Sequence, residues 1–237
     1  MADLSTSKGW LLSTGHPFED FSRAHDLHYL SHRAIVRDLI PRWLRDGVPN
    51  LDERIAGAAY GETPEKIQKQ LLELLALSEE DTFLDLGAGA GGFLATILSL
   101  GFRARGIEQN RRLVKAGHDY LRSREYDPGS LVVGDFLQDA WPACTVVYCT
   151  TSRHSDKALR ELASKLDRLD SIRCVGVLGK PLALSSDWET IHHSIHQVTW
   201  NLDETPVSEE LVCWVRPETA VAQTSKDTTK RSARPLR

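Results

Sequence analysis

Apolar positions follow a helical period at two places in the first third of the chain. In residues 18–46 they recur at helical spacing, which predicts about two helices interrupted near Pro41. The stretch YGETPEKIQKQLLELLAL, residues 60–77, predicts a further helix with Thr63 as its N-cap and Pro64 at its first position.

Downstream of this helix, apolar runs typical of strands alternate with helical patterns. The predicted strands are TFLDLG, RARGIE, SLVVGD, CTVVYCTT, IRCVGVLGK, IHQVTW and ELVCWVRP. The helices between them are GGFLATILSLG, RRLVKAGHDYLRSR and SDKALRELASKLDRL. This alternation predicts one α/β domain, Rossmann-like, with a mostly parallel sheet covered by helices on both faces. Two consecutive strands at the end predict an antiparallel hairpin that completes the sheet.

Composition and charge restrict the partners and the location expected for this domain. The 237 residues carry a net charge of −4, so no general field attracts nucleic acid, and nucleic-acid binding is not expected. Neither a membrane-length apolar run nor a secretory signal pattern is present, which predicts a cytoplasmic protein. The four cysteines show no CxxC spacing and are expected to be reduced thiols. Residues 218–237 are polar and basic and are expected to be a disordered tail.

The candidate chemistry begins at LDLGAGAGG, residues 84–92. Gly87, Gly89 and Gly92 fit G-x-G-x-x-G at a strand-to-helix turn, where glycine lets a ligand approach the backbone closely. A plain tight turn is the structural alternative. Nicotinamide, flavin and sulfonium cofactors can all bind at such a turn, so the glycines alone do not identify one.

Acidic residues at the following strand ends favour a sulfonium cofactor. Glu108 ends the second strand, where a carboxylate can bind both ribose hydroxyls. Asp85 precedes the glycine turn and can face the cofactor's amino group. In GDF, residues 134–136, Asp135 can accept from the adenine amine and Phe136 can cover the ring.

Together with the closing hairpin, this combination resembles class I S-adenosylmethionine-dependent methyltransferases over about residues 60–216. The resemblance implies a seven-stranded sheet and S-adenosyl-L-methionine as cofactor. The candidate cofactor contacts are Tyr60, Thr63, Asp85, Gly87, Ala88, Gly89, Gly92, Glu108, Gln109, Asp135, Phe136 and Thr150.

A narrower resemblance concerns YGET, residues 60–63. This stretch resembles the DOT-type (non-SET) histone lysine methyltransferases, in which the loop lies over the methionine end of the cofactor. The Thr63-Pro64 pair and the ending Trp-Val-x-Pro also resemble the ATP-synthase c-subunit lysine methyltransferases. The resemblance implies Tyr60, Glu62 and Thr63 as cofactor and active-site contacts, and Tyr60 and Glu62 are candidate catalytic residues. Thr150 is a third candidate, because its hydroxyl could contact the substrate or the cofactor; the alternative is an ordinary β-branched strand residue. The chain departs from the DOT-type family after the fourth strand, where CTTSRHS replaces an Asn-Asn-Phe-aromatic motif.

These observations predict a methyltransferase acting on a protein lysine or similar amine. The alternatives are a small-molecule N- or O-methyltransferase and a cofactor-binding partner subunit without turnover. Where a general base is needed, Glu62 and His154 are candidates. The simpler interpretations are a loop-ordering hydrogen bond for Glu62 and an exposed histidine at a helix start for His154. His192 and His196 have a spacing that could bind a metal on a helix, but no acidic ligand supports this, and no metal is expected.

The predicted organisation has three parts. Residues 1–58 form an N-terminal helical cap, residues 59–217 the cofactor-binding domain, and residues 218–237 the tail. The expected partner is the methyl acceptor, with no membrane, and the sequence makes no prediction of oligomeric state.

Overall fold

The computed structural model describes residues 62–199 and 206–217. The helices predicted in residues 18–46, the candidate Tyr60 and the tail from residue 218 lie outside these ranges. The seven strands are β1 (Thr82–Leu86), β2 (Arg103–Glu108), β3 (Leu131–Val133), β4 (Val146–Thr150), β5 (Cys174–Gly179), β6 (Glu189–Val198) and β7 (Val207–Val215). The helices are α1 (Glu65–Leu75), α2 (Gly92–Ser99), α3 (Arg111–Ser123) and α4 (Asp156–Asp167), with a 3-10 turn at Pro128–Ser130.

The strands form one sheet in the order β3-β2-β1-β4-β5-β7-β6. Strands β1 to β5 are parallel, whereas β7 runs antiparallel between β5 and β6. The predicted fold and its closing hairpin are therefore confirmed. Parallel neighbours need crossover connections, and helices α2, α3 and α4 lie in those from β1 to β2, from β2 to β3 and from β4 to β5.

Side chains alternate between the two faces of the sheet, and each face has its own apolar core. Phe83 of β1 packs in the core that includes α1, α2 and α3, while the adjacent Leu84 packs in the core that includes α4. Both side chains are fully buried. Because both faces are covered, β1 places apolar side chains on both of them and its last four residues are all buried.

Helix α1 begins one residue later than the sequence predicts. Pro64, not Thr63, is its N-cap, and the Pro64 carbonyl accepts from the backbone N–H groups of Ile67 and Gln68. The prediction of Thr63 as N-cap is therefore wrong. The Thr63 hydroxyl instead hydrogen-bonds to the Tyr148 phenol in the middle of the sheet, at 2.7 Å.

A partly buried ion pair between Arg173 and Asp81 lies at the amino-terminal edge of the sheet. Arg173 donates to both carboxylate oxygens of Asp81 at 2.8 and 2.5 Å, and to the carbonyls of Leu75 and Ala76 at the end of α1. Burial alone would raise the pKa of Asp81, but the hydrogen bonds, with Arg173 first, lower it to about 2. This edge is structural, and the opposite edge, at the carboxyl ends of β1 to β5, carries the candidate site.

Candidate cofactor site

The turn between β1 and α2 has the geometry of a ligand-binding loop. The backbone N–H groups of Gly87 and Ala88 donate to the Ile107 carbonyl of β2 at 2.8 and 3.1 Å, which fixes the turn to the sheet. Positive φ angles occur at Gly87, Gly89 and Gly91, so the conformational repeat is G-x-G-x-G. The G-x-G-x-x-G interpretation named Gly92, which is the first residue of α2, and missed Gly91, which is its N-cap.

The space on the two sides of this turn differs. A Cβ added at Gly87 would meet no atom within 4 Å, so the turn faces open space. Behind the turn, a Cβ at Gly106 would lie 2.8 Å from the Ala88 Cβ, and one at Gly117 would lie 2.8 Å from the Ala90 carbonyl oxygen. Gly106 and Gly117 therefore let β2 and α3 approach the loop, and sequence reasoning missed both. The available signal was a glycine inside a strand and a glycine inside a helix.

Glu108 lies at the end of β2 and braces the glycine turn. One carboxylate oxygen accepts from the Gly89 N–H at 3.0 Å, and the other accepts from the Asn110 N–H at 2.8 Å. Burial raises the pKa of Glu108, and the backbone hydrogen bonds only partly oppose this shift. The adjacent Gln109 is exposed. Each carboxylate oxygen has a second lone pair, so the group retains the capacity to accept from a ligand hydroxyl.

Asp85 is the unusual group of the site. It is 5% exposed, and its carboxylate accepts no hydrogen bond from any residue of the described ranges. Desolvation, and secondly the charge of Glu108, raise the pKa of Asp85 to about 7. A buried carboxylate whose proton affinity is raised by burial and by a neighbouring carboxylate marks a place where a positive or hydrogen-bond-donating ligand is favoured.

The segment before α1 lies on the same face of the sheet as Asp85. Asp85 is the register partner of Tyr148 in β4, and adjacent residues in register point to one face. The Thr63–Tyr148 hydrogen bond therefore holds residues 62–64 over this face. Thr150, two residues after Tyr148, points to this face as well. Glu62 lies near enough to Tyr120 of α3 for its charge to contribute to raising the pKa of that phenol, which burial raises most.

The loop after β3 carries the GDF sequence and is braced from α4. The Asp135 carboxylate accepts from the Leu137 N–H at 2.8 Å. The Lys165 ammonium donates to the Phe136 carbonyl at 2.8 Å and lies 4.8 Å from the centre of the Trp141 ring. Trp141 also donates to the Phe136 carbonyl, at 2.7 Å. Phe136 is consequently held at the carboxyl edge of the sheet, where the sequence placed it.

The loop after β4 contains Thr151, which bonds to the end of β5, and His154, which contacts Phe136. The Thr151 hydroxyl donates to the Lys180 carbonyl at 2.7 Å, so it ties β4 to the end of β5. His154 is half-buried and packs against Phe136, with ring centres 5.5 Å apart. The interpretation of His154 as an exposed histidine at a helix start is therefore wrong, and Ser155 is the N-cap of α4.

Comparisons with known proteins address the fold. No protein-family model matches the chain, and no curated protein matches its sequence. Among solved structures, a putative RNA methyltransferase from Pyrococcus horikoshii is 16% identical with a TM-score of 0.53, over 67% of this chain and 86% of that chain. The magnesium protoporphyrin IX methyltransferase of Synechocystis, solved with bound S-adenosylmethionine, is 14% identical with a TM-score of 0.51, over 78% and 97%. The chain has the class I methyltransferase fold.

A third structure agrees with this methyltransferase fold. A putative methyltransferase from Escherichia coli is 16% identical with a TM-score of 0.53, over 66% of this chain and 88% of that chain. One of the three is described as an RNA methyltransferase and one as a porphyrin methyltransferase, and none of the three as a lysine methyltransferase. The narrower resemblance to DOT-type enzymes is therefore not confirmed and stays a prediction.

In this methyltransferase fold most of the candidate residues converge on one edge of the sheet. Those within the described ranges lie at or directly after the carboxyl ends of β1, β2, β3 and β4, or precede α1. Tyr60 lies outside those ranges. Ligands of open α/β sheets bind at the carboxyl ends of the strands, where the strand order reverses. Here the order reverses between β1 and β4, beside the glycine turn.

His192 and His196 lie elsewhere in the methyltransferase fold, on the edge strand β6 rather than on a helix. Both nitrogens Nε2 lie 2.8 Å from the hydroxyl of the intervening Ser194. Across residues 62–199 and 206–217, no group of three or more His, Cys, Asp or Glu side chains is placed to bind a metal. In the same ranges no helix is long and apolar enough to span a membrane. All four cysteines are buried free thiols.

Proposed function

We propose that the protein is an S-adenosylmethionine-dependent methyltransferase. The observation that carries this proposal is the pair of buried carboxylates, Asp85 and Glu108, on either side of the glycine turn in a sheet of methyltransferase order. Burying two carboxylates side by side costs free energy unless a ligand compensates them. A cofactor with a positively charged amino group and two ribose hydroxyls would do so.

The residues of the edge fit the chemistry of that cofactor. The open space before Gly87 leaves room for a ligand against the backbone, which a side chain at this position would occupy. Asp85 would attract the amino group and Glu108 would accept from the ribose. Asp135 and Phe136 would hold the adenine, and Thr63 and Thr150 would contact the methionine end. Ala88, Gly89, Gly92 and Gln109 complete the proposed contacts, with Tyr60 outside the described ranges.

When bound, S-adenosylmethionine supplies an electrophilic methyl group carried by a sulfonium. The protein then has to orient the acceptor in line and exclude water. The Thr63–Tyr148 bond contributes to this by fixing residues 62–64 over the Asp85 face. Glu62 and Thr150 are the proposed acceptor-facing residues, together with Tyr60.

We infer further that the acceptor is an amine, most simply a protein lysine. The YGET resemblance supports this, as does Glu62 in that stretch, whose carboxylate would attract a cationic acceptor. The loop at residues 149–155 supports the second candidate, a small-molecule acceptor. It lacks the asparagine and aromatic residues of the lysine enzymes, and the Thr151 side chain bonds to Lys180 rather than facing the edge.

Binding of the demethylated cofactor, S-adenosylhomocysteine, tests the cofactor assignment by calorimetry. Asp85→Ala and Glu108→Ala should each weaken binding at least tenfold. Glu79→Ala, which removes an exposed carboxylate before β1, is the matched control and should leave binding unchanged. If the wild-type protein does not bind, or if both site variants bind as the wild type does, the cofactor proposal is wrong.

Transfer of a labelled methyl group into a cell lysate tests the acceptor. Label that enters protein and is released as methyllysine after hydrolysis supports the amine proposal. Label in small molecules favours the second candidate, and label in nucleic acid contradicts both. Cofactor binding without transfer to any fraction would indicate a partner subunit without turnover.

A further inference from the structure

One polar atom at the carboxyl edge of the sheet lacks the partner that its burial calls for. The Nδ1 atom of His154 is shielded from solvent and has no hydrogen-bond partner among the described residues. A buried polar atom without a partner costs free energy, and such an atom beside a ligand site points to a contact that the ligand makes.

Two backbone hydrogen bonds and one ring contact hold His154 in position. Its backbone N–H donates to the Thr151 carbonyl at 3.1 Å, and its carbonyl accepts from the Lys180 ammonium at 3.0 Å. Its ring packs on Phe136 at an interplanar angle of 47°. Phe136 is in turn held through its carbonyl by Lys165.

The surroundings of His154 favour its neutral imidazole form. Burial is the larger cause, and the charge of Lys180 the smaller one, of a lowered pKa for His154. A neutral imidazole has one nitrogen that donates and one that accepts. A neutral imidazole can therefore bond to either a donor or an acceptor atom of a ligand, whereas an imidazolium can bond only to acceptors.

We propose that His154 completes the adenine subsite, with its Nδ1 atom hydrogen-bonded to the polar edge of the adenine ring. This inference rests on the proposed function, since it assumes that the cofactor carries adenine. Adenine offers an amine that donates and ring nitrogens that accept, so either tautomer of His154 finds a partner. The Phe136 contact places the imidazole beside the side chain proposed to cover the same ring. We assign His154 to cofactor recognition rather than to the role of general base.

The test compares S-adenosylhomocysteine with two analogues, one with a carbonyl in place of the adenine amine and one lacking the ring nitrogen N7. Affinities are measured by calorimetry for the wild type, His154→Phe and His154→Asn. Phe keeps the ring packing and removes the nitrogen, whereas the Asn amide can reproduce a polar atom near the position of Nδ1. His193→Phe, at an exposed histidine on β6, is the matched control.

The expected result is a loss of discrimination in one variant only. His154→Phe should lose about tenfold of the wild-type preference for S-adenosylhomocysteine over at least one analogue. His154→Asn should keep that preference within about threefold, and His193→Phe should match the wild type. If His154→Phe binds S-adenosylhomocysteine and discriminates against both analogues as the wild type does, the assignment is overturned. A wild type that does not bind S-adenosylhomocysteine refutes the proposed function itself.

A measurement on the unmodified protein covers the case in which His154→Phe does not fold. The ¹⁵N resonance of His154 Nδ1 should shift when S-adenosylhomocysteine binds, because the atom gains a hydrogen bond. The analogue that lacks the bonding atom should produce a smaller shift. Equal shifts with all three ligands, or no shift, would contradict the contact.

Discussion

Asp85→Asn should make the protein more stable at neutral and alkaline pH. Asp85 is buried, and its pKa rises from 3.8 to about 7. The folded state then binds this proton more tightly than the unfolded state, so the free energy of unfolding falls as pH rises from about 4 through 7. At 1.36 kcal/mol for each pH unit, the full cost of ionising Asp85 is about 4 kcal/mol, of which about 2 kcal/mol appears between pH 5.5 and pH 8.

Asparagine removes this charge but leaves an amide in the same buried place. An amide without a partner costs about 1–3 kcal/mol, so the expected gain in the free energy of unfolding is about 1–3 kcal/mol at pH 8. The gain should shrink, or change sign, at pH 5.5. Folding also raises the pKa of Glu108 and lowers that of His154, so the informative quantity is the difference between Asp85→Asn and the wild type at each pH.

Urea unfolding at pH 5.5 and pH 8 measures both quantities for the two proteins. Glu79→Gln, on the exposed surface, serves as the control and should follow the wild type at both values. If the difference between Asp85→Asn and the wild type is the same at both pH values, Asp85 is not the buried group that titrates near neutral pH. The proposal that the buried Asp85 carboxylate attracts the amino group of the cofactor would then be refuted too.

Three further predictions concern groups that position the site. Tyr148→Phe and Thr63→Val should each lower the free energy of unfolding, measured in urea, by about 1–3 kcal/mol, because each leaves a buried hydroxyl without its partner. The double variant should lose clearly less than the sum of the two, and additive losses would exclude the 2.7 Å hydrogen bond. Gly117→Ala should destabilise by about 1–3 kcal/mol in thermal unfolding, the reverse of a usual helical Gly→Ala change, since the new Cβ would meet Leu131 and the Ala90 carbonyl. Lys165→Met should weaken S-adenosylhomocysteine binding about tenfold in calorimetry, with Lys165→Arg intermediate, and unchanged binding would show that the Phe136 loop does not need this brace.

The parts of the fold predicted correctly are those that depend on period and order. The alternation of strands and helices predicted the sheet, and two consecutive strands predicted the antiparallel hairpin of β6 and β7. The convergence of Asp85 and Glu108 on one edge followed as well, because carboxyl ends of parallel strands lie together. These features are set by local pattern and by general rules of connection.

The incorrect predictions concern residues whose role depends on a partner distant in sequence or on the backbone conformation. Thr63 has the composition of an N-cap, but the phenol of Tyr148, 85 residues away in sequence, takes its hydroxyl. His154 has the context of an exposed helix start, but Phe136 from another loop covers it. Gly91 and Gly92 cannot be told apart by spacing alone, since only the backbone shows which one has positive φ. No local pattern contains these contacts.

The place of β7 in the sheet has a consequence for how the chain acquires its structure during synthesis. β5 pairs on one side with β4, but its other side pairs only with β7, which begins 28 residues after β5 ends. All six residues of β5 are buried in the finished sheet. Until β7 emerges from the ribosome, this apolar strand is an open edge able to pair with another chain. A ribosome pause or a premature stop within β6 would therefore release an aggregation-prone intermediate, whereas the same event after β7 would not.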